Sequence, residues 1–281
     1  MGRVITIALF VVIFLIGLSV LLYPAIGDYY NSQKHVQAVG EYFEAVQNLS
    51  EVDYTNILEA AREYNERLRR MPNRFNMTDD ERSEYNSLLD PSGRGAMGTL
   101  EIEVIDIHLP IYHGTDEGVL QIGLGHLEGS SLPVGGLGTH AAITGHRGLP
   151  SSTLLTNLDR VVIGDTFKLH ILGMTLEYKV DQFSTVLPNE TASLAIVADA
   201  DYCTLVTCTP YGINTHRLLV RGYRIAGSDG EEIVRPALVP TEAHILHDAR
   251  AALLIFVPVT LAVLVVLFIR LRRVYGRGKK R

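Results

Sequence analysis

The chain has 281 residues, 47% of them hydrophobic and 20% charged, with a formal net charge of −6. Between positions 23 and 250 lie 17 basic residues against all 31 acidic ones, a formal charge of −14, which argues against nucleic acid as a partner. Two cysteines are too few for a disulfide framework, and this stretch is long enough for one domain with a real core.

In chain order, the first predicted element is an anchor. Val4 to Leu22 runs 19 residues without a charge, roughly 28 Å at about 1.5 Å per residue, enough to cross a bilayer core. The apolar part of a signal peptide is shorter, about 7 to 15 residues. Positions 1–26 therefore read as an uncleaved transmembrane segment, although Pro24-Ala25 would permit cleavage. From Asp28 to Arg70 the pattern is helical. Val36, Val39, Phe43, Val46 and Leu49 recur at three- and four-residue steps, and Ile57, Ala61, Tyr64 and Leu68 line one face of a second helix, the two joined near Leu49-Ser50. Thr78-Asp-Asp-Glu81 is a capping-box sequence that opens a third short helix ending near Leu88. Leu89-Asp90-Pro91-Ser92-Gly93-Arg94-Gly95 then has the composition of a turn. The helical region is placed at 27–98.

From Thr99 the signal changes to short apolar or alternating runs: Leu100–Ile105, Ala141–Thr144, Phe167–Leu172, Leu176–Val180, Leu205–Thr207 and Leu218–Ile225, with glycines between them. This is the pattern of an antiparallel β-barrel or sandwich, placed at 99–228. A linker (229–250) leads to a second charge-free run, Ala251–Ile269, also 19 residues long; Pro258 does not forbid a span. The tail 270–281 holds seven basic residues and no acidic one, which places it on the cytoplasmic side. Two spans put both termini in the cytoplasm and the domain between them outside.

One run carries chemistry. Thr-Leu-Val-Thr-Cys208-Thr-Pro-Tyr-Gly-Ile-Asn-Thr-His-Arg217 ends an apolar strand on a thiol, turns, and returns an arginine nine residues later. The thiolate is the nucleophilic form, and at a reference pKa of about 8.5 only roughly 3% of a thiol is ionised at pH 7. A fixed guanidinium favours that anion or binds an oxyanion. Adjacent strand residues face opposite ways, so Arg217 and not His216 is the expected partner of Cys208. Cys203, five residues earlier, faces the other side and reads as a core residue, poorly placed for a disulfide. A departing amine needs a proton donor, and Thr139-His140-Ala-Ala-Ile-Thr-Gly-His146-Arg-Gly offers two histidines that position alone does not separate. No Cys-x-x-Cys or His-Glu-x-x-His spacing occurs, so neither a metal nor a cofactor is expected.

These two runs resemble the signatures of the sortase transpeptidases, most closely the pilus-assembling class C members, over about 90–225. The resemblance implies an eight-stranded β-barrel preceded by helices. It implies Cys208 as nucleophile, His146 rather than His140 as proton donor, and Arg217 as the third catalytic residue. His126, in Gly123-Leu-Gly-His126-Leu-Glu-Gly-Ser, matches another family segment without a catalytic task. The implied partners are pilin and surface proteins bearing a Leu-Pro-x-Thr-Gly-like sorting signal, handled by a membrane-bound monomer of the Gram-positive cell envelope. Class C members also carry a lid with an Asp-Pro-aromatic motif, here Asp90-Pro91-Ser92, with serine in place of the ring. The expectation is a lid held by an Asp90–Arg217 ion pair, with Ser92 near Cys208 and glycines 93, 95 and 98 as hinges. A cell-wall-anchoring sortase, a thiol hydrolase and a non-enzymatic pilus scaffold are the alternatives.

Overall fold

A computed structural model describes residues 2–225. The expected linker, second span and basic tail lie outside the described residues. The described residues fall into two units, 2–29 and 30–225.

In the first unit the described residues belong to helix α1 (Gly2–Gln47). Leu9, Phe10, Val12, Ile13 and Ile16 are exposed along it. By length and composition this is one helix able to cross a membrane.

The second unit begins with the remainder of α1, whose Val39, Tyr42 and Val46 are buried. The Tyr42 hydroxyl donates to the Met97 carbonyl at 3.0 Å and accepts from the Leu172 amide at 2.9 Å. Helix α2 (Glu51–Leu68) is capped by Ser50 and buries Leu58, Ala61, Tyr64 and Leu68, three of the four residues predicted from spacing, with Leu58 buried more fully than Ile57. Helix α3 (Asp79–Ser87) has both halves of the capping box between Thr78 and Glu81.

Eight strands follow: β1 (Ala96–Ile102), β2 (Ile107–His113), β3 (Leu124–His126), β4 (Thr139–Thr144), β5 (Thr166–Ile171), β6 (Met174–Val186), β7 (Asp201–Thr209) and β8 (His216–Arg224), with a short helix α4 (Glu117–Leu120) between β2 and β3. They close into a barrel in the order β1-β2-β3-β4-β7-β8-β6-β5. The barrel is not wholly antiparallel, because β2 pairs with β3 and β4 pairs with β7 in parallel. Leu100, Ile111, Leu124, Ile143, Leu169, Cys203, Leu205 and Val220 fill its interior, so Cys203 is the core residue expected.

Three expectations need correction. The barrel starts at Ala96, not 99, and the run Leu100–Ile105 stops being strand at Ile102, where a 3-10 turn over Glu103–Ile105 ends on Asp106 in the left-handed region. Gly98 is no hinge: it pairs with Ile111 within β1, and a Cβ there would stand 2.8 Å from the His170 carbonyl oxygen. Strand β6 runs six residues beyond the predicted Val180, its outer half alternating too weakly in polarity to be read.

Candidate active site

The barrel's register brings two of the predicted residues together. Strands β7 and β8 are antiparallel, with Cys208 directly opposite Arg217. Residues so paired have Cβ atoms about 4.5–5.5 Å apart and share a face. On the other side of β7, strand β4 runs parallel, with Thr139 level with Asp201 and Thr144 level with Val206. The ladder ends there, and the chain passes through Gly145 into the loop that carries His146. Val186 of β6 faces Arg217 across the remaining ladder. Thus Cys208, Arg217 and Val186 form one row across β7, β8 and β6, and His146, 71 positions before Arg217 in sequence, follows in the loop just past the end of β4.

The backbone of the row is pinned. The Gly145 amide donates to the Val206 carbonyl at 3.0 Å, continuing the β4–β7 ladder one residue past the strand. The buried Thr207 hydroxyl donates to the Gly145 carbonyl at 2.8 Å. The Leu155 amide reaches the His146 carbonyl at 3.2 Å. At Gly145 a Cβ would lie 2.6 Å from Leu124 Cδ2 and 2.9 Å from Leu155 Cγ, so glycine lets the chain leave β4 close to the core. Arg147 pairs with Asp159 and lies 5.8 Å from the Tyr211 ring, linking the His146 loop to the β7–β8 turn.

Alternation gives each site side chain its face. Cys208 is half-buried while Cys203 is fully buried; burial and the neighbouring Asp201 carboxylate push the Cys203 thiol well up, keeping it a neutral core group. Next to the row, Val206 and Leu219 join Ala142, Leu194, Phe75, Leu127 and Val186 in a second apolar cluster separate from the core. Arg217 donates from Nη1 to the Asn214 and His216 carbonyls at 3.3 and 3.2 Å, contacts weak enough for a substrate oxygen to compete. His216 falls on the opposite face, paired with Thr209.

The other histidines have structural partners. Burial pushes His140 down to about 4; its Nδ1 donates to the Ala195 carbonyl and its Nε2 accepts from Thr204. His126 is likewise pushed down to about 4 by burial, with the Ser131 carbonyl on Nε2 and the Tyr85 hydroxyl on Nδ1. His140 shares the face of Cys208 but lies level with Tyr202, six residues along β7 from it. Near His146 sequence reasoning missed a residue: Glu117 of α4, whose Oε1 lies 3.4 Å from His146 Nε2.

The Asp90–Pro91–Ser92 segment departs from expectation. The Asp90 carboxylate is turned into its own loop, where Oδ2 accepts from the Gly95 amide at 2.8 Å and Oδ1 accepts from the Arg94 amide at 3.1 Å and the Ser92 hydroxyl at 3.2 Å. Gly93 and Gly95 take φ of 67° and 79°, the left-handed conformations such a nest requires. Ion pairs among the described residues do not include Asp90 with Arg217, and Ser92 bonds within the loop instead of to Cys208. A carboxylate with three local donors has no need of a distant guanidinium. His113 spans the base of this loop, with Nε2 at 2.6 Å from the Leu88 carbonyl and Nδ1 at 3.0 Å from that of Gly95.

The cavity of about 850 Å³ lined by Tyr54, Arg62, Leu176, Asp201 and Tyr202 opens at the start of β7, seven residues from Cys208. Size alone does not mark the chemistry.

Residues 100–225 match the sortase domain. Sortase C1 from Streptococcus agalactiae is 50% identical and superposes with a TM-score of 0.64, covering 67% of this chain and 98% of its own. The chain belongs to the sortase family. A lid mutant of sortase A from Corynebacterium diphtheriae is also similar, 44% identical with a TM-score of 0.57 over 63% of this chain and 95% of its own. Sortase D of Bacillus subtilis is 26% identical over 153 residues, 53% of this chain and 73% of that one. The neighbours of this sortase in structure include class C enzymes, as the resemblance implied.

Proposed function

We propose that this sortase is a membrane-anchored cysteine transpeptidase of the pilus-assembling class, with Cys208 as nucleophile, His146 as general acid and base, and Arg217 as oxyanion partner. The reading is supported by Cys208 standing opposite Arg217 across β7 and β8, with His146 in the loop that leaves β4, the neighbour of β7. The Cys208 thiolate attacks the threonine carbonyl carbon of a Leu-Pro-x-Thr-Gly-like signal. Arg217 balances the charge that moves to the carbonyl oxygen, where preorganised donors act most strongly. Protonated His146 gives its proton to the glycine nitrogen as the Thr–Gly bond breaks, leaving a thioester on Cys208. The amine of a pilin lysine then attacks the thioester, His146 takes up a proton, and Cys208 departs as thiolate, leaving an isopeptide bond.

Reference values put imidazolium at about a quarter of the population at pH 7 and thiolate at roughly 3%, so both charged groups coexist in under about 1% of molecules unless neighbours shift them. The apolar cluster of Val206, Leu219 and Val186 beside the row lowers the local dielectric, which strengthens charge attraction across it. The segment Leu89–Arg94 serves as the lid, closed by its own nest around Asp90 rather than by Arg217. The exposed apolar stretch of α1 supports membrane anchoring, with the domain outside the cell and acting as a monomer.

Incubating the full-length enzyme with a sorting-signal pilin and a lysine-bearing pilin tests the reading. An isopeptide-linked product is expected. Free acid alone, with amine in excess, contradicts transpeptidation, and cross-linking that persists in Cys208→Ala contradicts the nucleophile.

A further inference from the structure

Nε2 of His146 is shielded from solvent and makes no aligned hydrogen bond, yet a carboxylate oxygen, Glu117 Oε1, stands 3.4 Å away. Glu117 opens α4, which packs on β3, the strand between β2 and β4 in the barrel. Its carboxylate is aimed by Gln121, whose Nε2 donates to the same Oε1 at 2.7 Å. The Gln121 hydrogen bond, and after it the charge on His146, holds the Glu117 carboxyl below the usual carboxylate range. At 3.4 Å a carboxylate attracts a ring that carries a second proton and has no such charge attraction to a neutral one.

The other charged or titratable groups on elements around the ring are the Cys208 thiol on β7, Arg217 on β8, and Arg147 in the histidine's own loop. Arg217 opposes a second positive charge, and Arg147 is already met by Asp159. Among the described residues, Glu117 is the acidic group within 4 Å of the His146 ring.

We propose that Glu117 is a positioning residue for acyl transfer: it holds His146 through Nε2 and favours the protonated ring, leaving the other ring nitrogen to exchange the proton. This rests on His146 being the general acid. Where the thiol is the weaker acid of the pair, the fraction of molecules holding thiolate and imidazolium together scales directly with the proton affinity of the ring. Removing the carboxylate then lowers the plateau of the pH–rate profile and moves its acid limb to lower pH, both by the same factor. A loss of packing lowers the plateau and leaves the limb in place.

The test is kcat/KM for cleavage of a sorting-signal peptide by the full chain, from about pH 5 to about pH 9, for wild type, Glu117→Gln and His146→Ala. Glutamine keeps the size and the link to Gln121, and the Glu117 side chain is 70% exposed, so the thermal midpoint should not move. The expected result is a plateau loss of about two- to fivefold, the size typical of an exposed ion pair, with an equal displacement of the acid limb and little change in KM. Raised salt should bring wild type toward the variant. A profile superimposable on wild type, or a lower plateau with a stationary limb, overturns the role of Glu117. Wild-type activity in His146→Ala instead overturns the assignment of the general acid on which it rests.

Discussion

Cys208 stands directly across the β7–β8 ladder from Arg217, with both side chains on the same face of the sheet. The thiol and the cation are therefore neighbours because of strand register, not because a flexible loop happens to bring them together. Register is fixed wherever one face of a strand is buried, since a one-residue slip would turn Leu205 and Val220 out of the core. Arg217→Lys keeps the charge but loses the planar fork. A fall of about tenfold to hundredfold in kcat/KM is expected, with an unchanged thermal midpoint, since Arg217 is bonded only to nearby carbonyls. Peptide cleavage and thermal unfolding, measured together, check both halves.

Thr207 sits one residue before Cys208 and on the opposite face. Its buried hydroxyl holds the Gly145 carbonyl at 2.8 Å and so fixes where the chain turns into His146. Thr207→Val has nearly the same shape and strands that carbonyl. A loss of about 1–3 kcal/mol in unfolding free energy is expected, measurable by denaturant titration, together with slower acylation.

The loop carrying Asp90, proposed as a lid, is tied at its base by His113. Carbonyl oxygens only accept, so the two contacts to Leu88 and Gly95 are both hydrogen bonds only when both ring nitrogens carry protons. Phenylalanine at this position fills the space beside Tyr85 and offers neither donor. His113→Phe is expected to speed tryptic cleavage at Arg94 and alkylation of Cys208, whereas Asp90→Ala should do the same by emptying the nest. Unchanged rates in both variants would mean that residues 89–94 do not gate the thiol.

The recognition motifs and the core pattern were legible because they are local. Strand alternation placed Cys203 inward and Cys208 outward, and the capping box at Thr78 and Glu81 formed as written. Strands β2 and β3 were not read: β2 carries His108, Pro110 and His113 among its apolar residues, and β3 has three residues, one of them glycine. Their parallel pairing is also invisible to a hairpin reading. Glu117 was missed because an exposed glutamate on a four-residue helix has no periodic signature, and its meaning comes only from the ring it faces. The Asp90–Arg217 pair was expected from the family's lid, but local donors from Ser92, Arg94 and Gly95 reach the carboxylate first.

Two buried histidines contribute to the acid sensitivity of the fold. His126 and His140 are held near 4 by burial, against about 6.5 in an unfolded chain. Between those values the unfolded state binds protons that the folded state refuses, so stability is full above about pH 6.5 and falls as pH drops toward 4. The slope is about 1.4 kcal/mol per pH unit for each ring. Thermal midpoints measured across this range should decline steadily, and a flat profile would contradict the buried, neutral assignment.

The most direct measurement is the intact mass of the enzyme after mixing with a Leu-Pro-x-Thr-Gly peptide. Acyl transfer through Cys208 requires a mass increase equal to the acyl portion ending in threonine, present in wild type, absent in Cys208→Ala, and discharged by an added amine. No adduct in wild type, or the same adduct in Cys208→Ala, would contradict it.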